Sequence, residues 1–302
     1  MGTTVVRPSF KSADVVANHP AMIAPMDSEL WPWMDGAGWH ATSARRKLEH
    51  GIALLHQLIT EIDEYEDAKA YEFPTTIQMV SSRVTRFECH ARERKPPETH
   101  WALRAGDVVQ NLRAALDHVV WAATPPQYRT RWTGFPICDR GDEFRQAKTR
   151  SNPRNACAFV DEQVLAAIRR AQPYVRATNA EERAWEPLFR LAQLSNEDKH
   201  QTLATVAAVV DEVFVVAARE TNVSFTKLGT GRPLGPGESH VATIEIDEDA
   251  VVKSALPTFI YKVLIAGREA QDLERLAHDV FRTLWECEFK QEMPVWTPPW
   301  PI

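Results

Sequence analysis

The sequence predicts an α+β protein, in which a helical, bundle-like core precedes an antiparallel β-rich C-terminal part that a helix closes. Apolar residues recur at spacings of three and four through long stretches of residues 41–202, which is the helical period. From residue 203 onwards, runs rich in β-branched residues take over and indicate strands. An amphipathic stretch at 268–289 then returns to the helical period and supplies the closing helix.

Composition and periodicity divide the chain into three predicted parts. Residues 1–40 contain Pro, Met, Gly and Trp without a sustained period, which predicts an irregular N-terminal arm. Residues 41–202 form the mainly helical core with a short β insertion. Residues 203–302 form the β-rich part, with the closing helix and a tail rich in Pro and Trp.

Within the core, a long helix is expected from about Ser43, because apolar residues follow one another at helical spacing. These residues are Leu48, Ile52, Leu55, Ile59 and Ile62. The stretch TTIQMVSSRVTRFECHARE predicts one or two strands, and a second long helix is expected over about 99–124. The stretch WTGFPIC is typical of a short strand or extended segment.

Shorter elements complete the prediction. Helices are expected at 141–149, 159–172 and 181–194, and QPY is expected to form a turn between the last two. Four strands are predicted in the last third, from TLATVAAVVDEVFVVAARE, VSFTKL, VATIEID and TFIYKVLIAG. The Gly/Pro-rich stretch GTGRPLGPGE is interpreted as a connection between two of them.

Charge and cysteine usage exclude several classes of protein. The net charge is −6 and the pI is about 6.0, so duplex DNA binding through overall charge is not expected, although a local basic patch is compatible with these values. The four cysteines lie far apart in the sequence, which argues against a zinc ribbon and a disulfide-bonded secreted module: Cys89, Cys138, Cys157 and Cys287. No signal peptide and no apolar stretch of ~20 residues is recognised, so a cytoplasmic protein without membrane contact is expected.

A polar motif lies on the helix predicted over 99–124. On a helical wheel the apolar residues form one face: Val108, Leu112, Ala115, Leu116 and Val119. Asp107, Asn111 and His118 fall within about 40° of one another on a different side. Arg113 and Asp117 are four residues apart and could form a simple ion pair. We name these five polar residues the first polar motif.

The second polar motif is LSNEDKH, which contains Asn196, Asp198, Lys199 and His200. Asn196 and His200 are four residues apart, so they could share one face of a helix. Ser195 and Asn196 are also good caps, so that either a helix restarts here or one helix passes through. The acidic residues would then be favourable in a first helical turn.

Three functions are compatible with these residues. An Arg or Lys stabilises phosphate charge and a His transfers a proton, which suits metal-free phosphodiester cleavage through an RNA 2′-hydroxyl. Alternatively, the motifs form a buried hydrogen-bond network in a non-catalytic binding or assembly protein. The third possibility is a metal-dependent enzyme whose ligands are His and carboxylate groups, but the usual metal-binding spacings are missing. No P-loop, GxGxxG or GxSxG motif indicates a cofactor or a classical nucleophile.

The stretch RAALDH, Arg113 to His118, resembles the Arg-x4-His signature of HEPN-type proteins, which are helical domains of many bacterial toxins and phage-defence ribonucleases. The combination of NLRAALDH with FPI, QPY and NEDKH is also similar to a group of uncharacterised bacterial and phage proteins. The HEPN resemblance implies action on RNA without a metal, from two helices that meet in a dimer. Arg113 and His118 are five residues apart and therefore lie about 140° from each other around the helix, so they can act on one substrate only with a partner helix or a second chain.

The leading hypothesis is therefore a metal-independent ribonuclease or RNA-binding relative of the HEPN type. In this hypothesis His118 is general acid or base, and Arg113 stabilises phosphate. His200 and Lys199 supply a second proton-transfer group and a second charge. The orienting or structural residues are Asn111, Asp107, Asp117, Asn196 and Asp198. Single-stranded RNA and a second copy of the chain are the expected partners, and neither a cofactor nor a metal is expected.

Overall fold

The computed structural model describes residues 4–6, 43–152, 154–200, 206–217, 222–230, 232–247, 256–265 and 269–289. The chain forms two compact units, each built from separated segments. The first unit contains residues 1–13, 57–103 and 204–270, and the second contains residues 14–56, 104–203 and 271–302. Most of the predicted N-terminal arm and the Pro/Trp tail lie outside the described residues.

The first unit contains the strands, which form two antiparallel sheets. In the smaller sheet, β5 (Val206–Ala217) pairs with both β1 (Thr4–Val6) and β8 (Leu256–Ile265). The larger sheet has the order β2-β4-β7-β6, and β3 also pairs with β4. Its strands are β2 (Tyr71–Glu72), β3 (Thr75–Met79), β4 (Val84–Glu93), β6 (Asn222–Leu228) and β7 (Glu238–Asp247).

Aromatic packing and alternating burial hold the first unit together. In β4, Phe87, Cys89 and Ala91 are buried, while the intervening side chains are more exposed, as expected for a strand with one solvated face. Phe73 stacks on Phe259 of β8 with ring centroids 4.7 Å apart. This contact joins the chain beside the larger sheet to the smaller sheet.

The second unit is helical. Its helices are the first part of α1 (Ser43–Asp67), most of α2 (His100–Ala123), then α3 (Gly141–Ala147), α4 (Glu162–Arg170), α5 (Pro173–Arg176), α6 (Ala180–Trp185), α7 (Pro187–His200) and most of α8 (Ala270–Phe289). Their shared core consists of fully buried apolar side chains: Leu48, Leu55, Val108, Leu112, Leu116, Ile168, Leu188, Leu191 and Phe281.

A buried ion pair adds to this core. Arg176 donates to both carboxylate oxygens of Asp279, at 2.8 and 2.7 Å, and to Glu186 Oε1 at 3.3 Å. Pairing is needed here because an isolated buried charge would be strongly unfavourable. Burial raises the pKa of Glu186, and nearby Asp279 raises it further.

The α+β class is confirmed, as are the two long helices and the buried face of α2. Two local predictions were wrong. The helix expected over 181–194 is two helices, because Pro187 lacks the N–H that a continuous helix needs, so α7 begins there. QPY starts the short helix α5 instead of forming only a turn. At WTGFPIC no strand forms, and residues 135–138 have no assigned secondary structure, so of the two predicted alternatives the extended segment is the one that the structure does not contradict. None of the described helices has the length and apolar character required to cross a membrane.

Candidate nucleic-acid interface

A basic surface is built from two loops of the second unit. Residues 124–138 and 144–160 together contain six lysines and arginines and no acidic residue, in a chain whose net charge is −6. The first loop follows α2 through a 3₁₀ turn at Pro126–Tyr128, and the second follows α3. Gly134 N–H donates to the Ala156 carbonyl at 3.1 Å, so the two loops lie side by side.

Arginines of this surface lie over aromatic rings. The guanidinium carbon of Arg129 is 5.4 Å from the ring centroid of Trp121, and that of Arg150 is 5.4 Å from the centroid of Phe159. Trp132 has two such neighbours, Arg131 at 5.0 Å and Arg154 at 5.2 Å. These distances are within the range for cation–π attraction.

Three aromatic side chains of this surface remain accessible to solvent. Trp121 and Tyr128 are 44% exposed, and Trp132 is 41% exposed. Tyr128 is stacked on Phe159 with centroids 4.3 Å apart and planes inclined by 4°. Exposed aromatic rings beside positive charge are the elements with which proteins bind single-stranded nucleic acid. We name these side chains with their four arginines the Arg–aromatic surface: Trp121, Tyr128, Arg129, Arg131, Trp132, Arg150, Arg154 and Phe159.

The arginines of this surface differ in their ion pairing from a neighbouring arginine. Among the described residues, none of the four forms an ion pair with a carboxylate. In contrast, Arg140, which lies between the two loops, pairs with Glu143 at 3.0 Å. An arginine without a carboxylate partner keeps its full capacity to bind an anion such as phosphate.

Hydrogen bonds within the loops fix their backbone. Arg129 Nε donates to the Thr124 carbonyl at 2.9 Å, which ties the first loop to the end of α2. Trp132 N–H donates to Thr130 Oγ1 at 3.1 Å. In the second loop, Arg154 N–H donates to Asn152 Oδ1 at 3.0 Å. The Arg–aromatic surface is therefore presented on ordered turns.

The first polar motif holds the first loop in place. Asp117 Oδ1 accepts hydrogen bonds from Arg113 Nη2 at 3.1 Å and from Phe135 N at 2.9 Å. Arg113 Nη2 also donates to the Phe135 carbonyl at 2.6 Å. A Cβ on Gly134 would lie only 2.8 Å from Asp117 Oδ1, so glycine is required for this close approach. We name Arg113, Asp117 and their bonds to Phe135 the loop clamp.

Buried residues below the loops complete the anchor. Phe135 is 1% exposed, and Cys138 and Cys157 are buried. Cys138 N–H donates to Gln172 Oε1 at 2.9 Å. Burial raises the pKa of both thiols to about 12, so they remain protonated and serve as small apolar core groups at neutral pH.

The remaining polar residues of the first motif face other neighbours. Asn111 Nδ2 donates to the Asp107 carbonyl at 2.7 Å, and Asn111 Oδ1 accepts from Lys47 Nζ of α1 at 3.2 Å. The Asp107 side chain is exposed. His118 Nδ1 is buried and has no hydrogen-bond partner within the described residues. The structure therefore directs Arg113 and Asn111 to different contacts, and His118 Nδ1 is hydrogen-bonded to neither of them.

The second polar motif does meet α2. α7 passes through Ser195 without a break, and Gln110 Nε2 donates to Asp198 Oδ2 at 2.9 Å. A Cβ on Gly106 would collide with Asp198 Oδ1, so the Asp198 side chain packs directly over this glycine. Asn196 is exposed. Lys199 and His200 end α7, and their side chains lie outside the described residues.

The Arg–aromatic surface was not predicted from the sequence, although a signal was present. Six basic residues and no acidic residue occur within the two ranges 124–138 and 144–160, which stands out in an acidic chain. No group of three or more His, Cys, Asp or Glu suited to a metal ion occurs in the part of the chain that the structure describes. Comparisons of the sequence and structure with family models, curated proteins and solved structures find no match. The HEPN resemblance therefore stays a prediction.

Proposed function

We propose that this protein binds single-stranded RNA through the Arg–aromatic surface. The observation that supports the proposal best is the set of four arginines that lie over aromatic rings and have no carboxylate partner among the described residues. Phosphate supplies the missing negative charge, and guanidinium groups bind it through paired N–H donors. Because the chain as a whole is acidic, binding is confined to this local surface.

The contacts of the polar motifs favour a binding protein over a ribonuclease. Asp117 fixes Arg113 in the loop clamp, and Gln110 holds Asp198. These bonds join helices and loops of the second unit, which is what the hypothesis of a structural hydrogen-bond network expects. The catalytic roles of Arg113, His118, Lys199 and His200 stay predictions.

The test is binding of a fluorescein-labelled uridine octamer, followed by anisotropy at several salt concentrations. Each phosphate neutralised on a single strand contributes about −0.7 to the slope of log K against log salt, so four engaged arginines give roughly −3. Arg131→Gln and Arg154→Gln should each weaken binding and reduce the slope by about 0.7.

A matched control is present in the same unit. Arg140 is well exposed but pairs with Glu143, so Arg140→Gln should leave the affinity and the slope unchanged. Absence of binding at low salt, or equal effects of all three substitutions, would contradict the proposal.

A further inference from the structure

We infer that the Arg–aromatic surface recognises RNA bases by stacking, and that its ligand is an unpaired strand of about three contiguous nucleotides, read with little regard to sequence. This inference rests on the proposed function and adds how the strand is held and how many of its bases are contacted. Its basis is the three accessible rings, Trp121, Tyr128 and Trp132.

The geometry at Tyr128 shows which ring face a base would take. Phe159 covers one face of Tyr128 in a nearly parallel stack, at 4.3 Å between centroids. Arg150 lies over Phe159, so the guanidinium and the two rings form a layered arrangement. Tyr128 is nevertheless 44% exposed, and a base added on its open side would extend this stack by one layer.

Trp121 and Trp132 are the other two rings on which a base can stack. Each already has an arginine at 5.0 to 5.4 Å from its centroid, so a phosphate next to a stacked base would lie close to positive charge. Tyr128 and Trp132 are four residues apart in one loop, and Arg129 connects this loop to Trp121. The three rings are thus linked through the first loop and through Arg129.

The requirement for unpaired bases follows from these contacts. In a duplex, neighbouring base pairs cover both faces of every internal base, so protein rings cannot stack on them. Stacking uses the aromatic face that every base has, which explains the tolerance of sequence.

Another exposed tryptophan of the same unit serves as a control. Trp185 is 64% exposed and has Arg190 4.0 Å above its ring. Unlike Trp132, it lies among carboxylates, since Glu181, Glu182 and Glu186 line the same shallow depression. These negative charges repel phosphate, so this ring should not take part in binding.

The experiment measures the affinities of three labelled ligands with equal numbers of phosphates per strand: a uridine octamer, an abasic octamer and a duplex RNA. We expect the uridine octamer to bind about tenfold or more tightly than the other two. Trp132→Ala should lower its affinity by about fivefold or more, the share of one of the three stacked bases, without changing abasic binding. Trp132→Phe should restore most of the affinity, and Trp185→Ala should have no effect.

The outcomes separate this inference from the proposed function. Equal affinity for the uridine and abasic strands, with no effect of Trp132→Ala, would overturn base stacking and leave charge-based RNA binding intact. Equal or tighter binding of the duplex would overturn both base stacking and the single-stranded specificity of the proposed function, and it would leave only RNA binding through charge. If no RNA binds to the wild-type protein, both the inference and the proposed function are wrong.

Discussion

Replacing Asp117 by alanine should destabilise the second unit by about 2 kcal/mol, because the loop clamp depends on one carboxylate oxygen. Phe135 is 1% exposed, so the N–H that loses Asp117 Oδ1 is left without a partner, at a cost of about 1–3 kcal/mol. The partly exposed ion pair with Arg113 adds about 0.3–0.5 kcal/mol. Alanine's better helix propensity returns at most about 0.7 kcal/mol.

Urea unfolding followed by fluorescence measures this effect. With an m value of roughly 2 kcal/mol/M, a loss of about 2 kcal/mol lowers the midpoint by about 1 M. Asp117→Asn keeps an oxygen that can accept from Phe135 N–H, so it should recover most of the stability. Asp107 is an exposed aspartate on the same helix, and Asp107→Ala should change the free energy of unfolding by no more than about 0.5 kcal/mol.

Two results would refute this reasoning. If Asp117→Ala and Asp107→Ala have the same effect, the bond to Phe135 does not stabilise the loop. If Asp117→Asn is as damaging as Asp117→Ala, the stability comes from the negative charge of Asp117 and not from its hydrogen bond with Phe135 N–H.

Three further predictions concern other parts of the chain. Gly106→Ala should move the Asp198 carboxylate away from Gln110, and the loss of that hydrogen bond, about 1.5 kcal/mol, should be largely offset by the gain of about 1 kcal/mol in helix propensity. Thermal unfolding should therefore show a net change of no more than about 1 kcal/mol, and a loss above about 2 kcal/mol would mean that the Asp198 side chain cannot move aside. Burial raises the pKa of Glu66, which accepts from Val263 N–H, from 4.5 to about 7. Because the folded state binds the proton more tightly than the unfolded state, the free energy of unfolding should fall by on the order of 1–2 kcal/mol as pH rises from 4.5 to 7, after allowance for screening. Glu66→Gln should flatten this pH dependence. An equal slope in that variant would exclude Glu66 as its source. End-labelled RNA incubated with the protein in EDTA should stay intact, whereas cleavage that His118→Ala abolishes at an unchanged melting temperature would support the ribonuclease hypothesis instead.

Local sequence patterns predicted the helices well because both the apolar periodicity and the helix itself depend on residues three and four positions apart. In α2, residues at helical spacing became the buried face, and the helix runs from His100 to Ala123, close to the expected 99–124. The break before Pro187 was also readable in principle, since proline rarely continues a helix. Apolar spacing on both sides of it suggested one helix where the structure has two.

Strand pairing could not be predicted in the same way. The strand β4 pairs with β7, and Phe87 lies opposite Ile244, far away in the sequence. Alternation shows which face of a strand is buried, but it does not identify the neighbouring strand. The Arg–aromatic surface was missed for a related reason. Its residues come from two loops, and only their contacts, such as Arg154 with Trp132, bring them together.

The residues of the first polar motif contact two different parts of the second unit, although their spacing in the sequence suggested a single site. Five polar residues in one helix suggested a common site, yet Asn111 bonds to α1 through Lys47, while Arg113 and Asp117 bond to the loop that carries Trp132. The two contacts can therefore be separated by experiment. Lys47→Met removes a contact distant in sequence from the Arg–aromatic surface and should lower stability without changing RNA affinity. Asp117→Ala should lower both the stability and the RNA affinity, because Trp132 lies three residues before Phe135 and is displaced when Phe135 is released. An equal loss of RNA affinity in the two variants would mean that general loosening of the helices, and not the loop clamp, controls the surface.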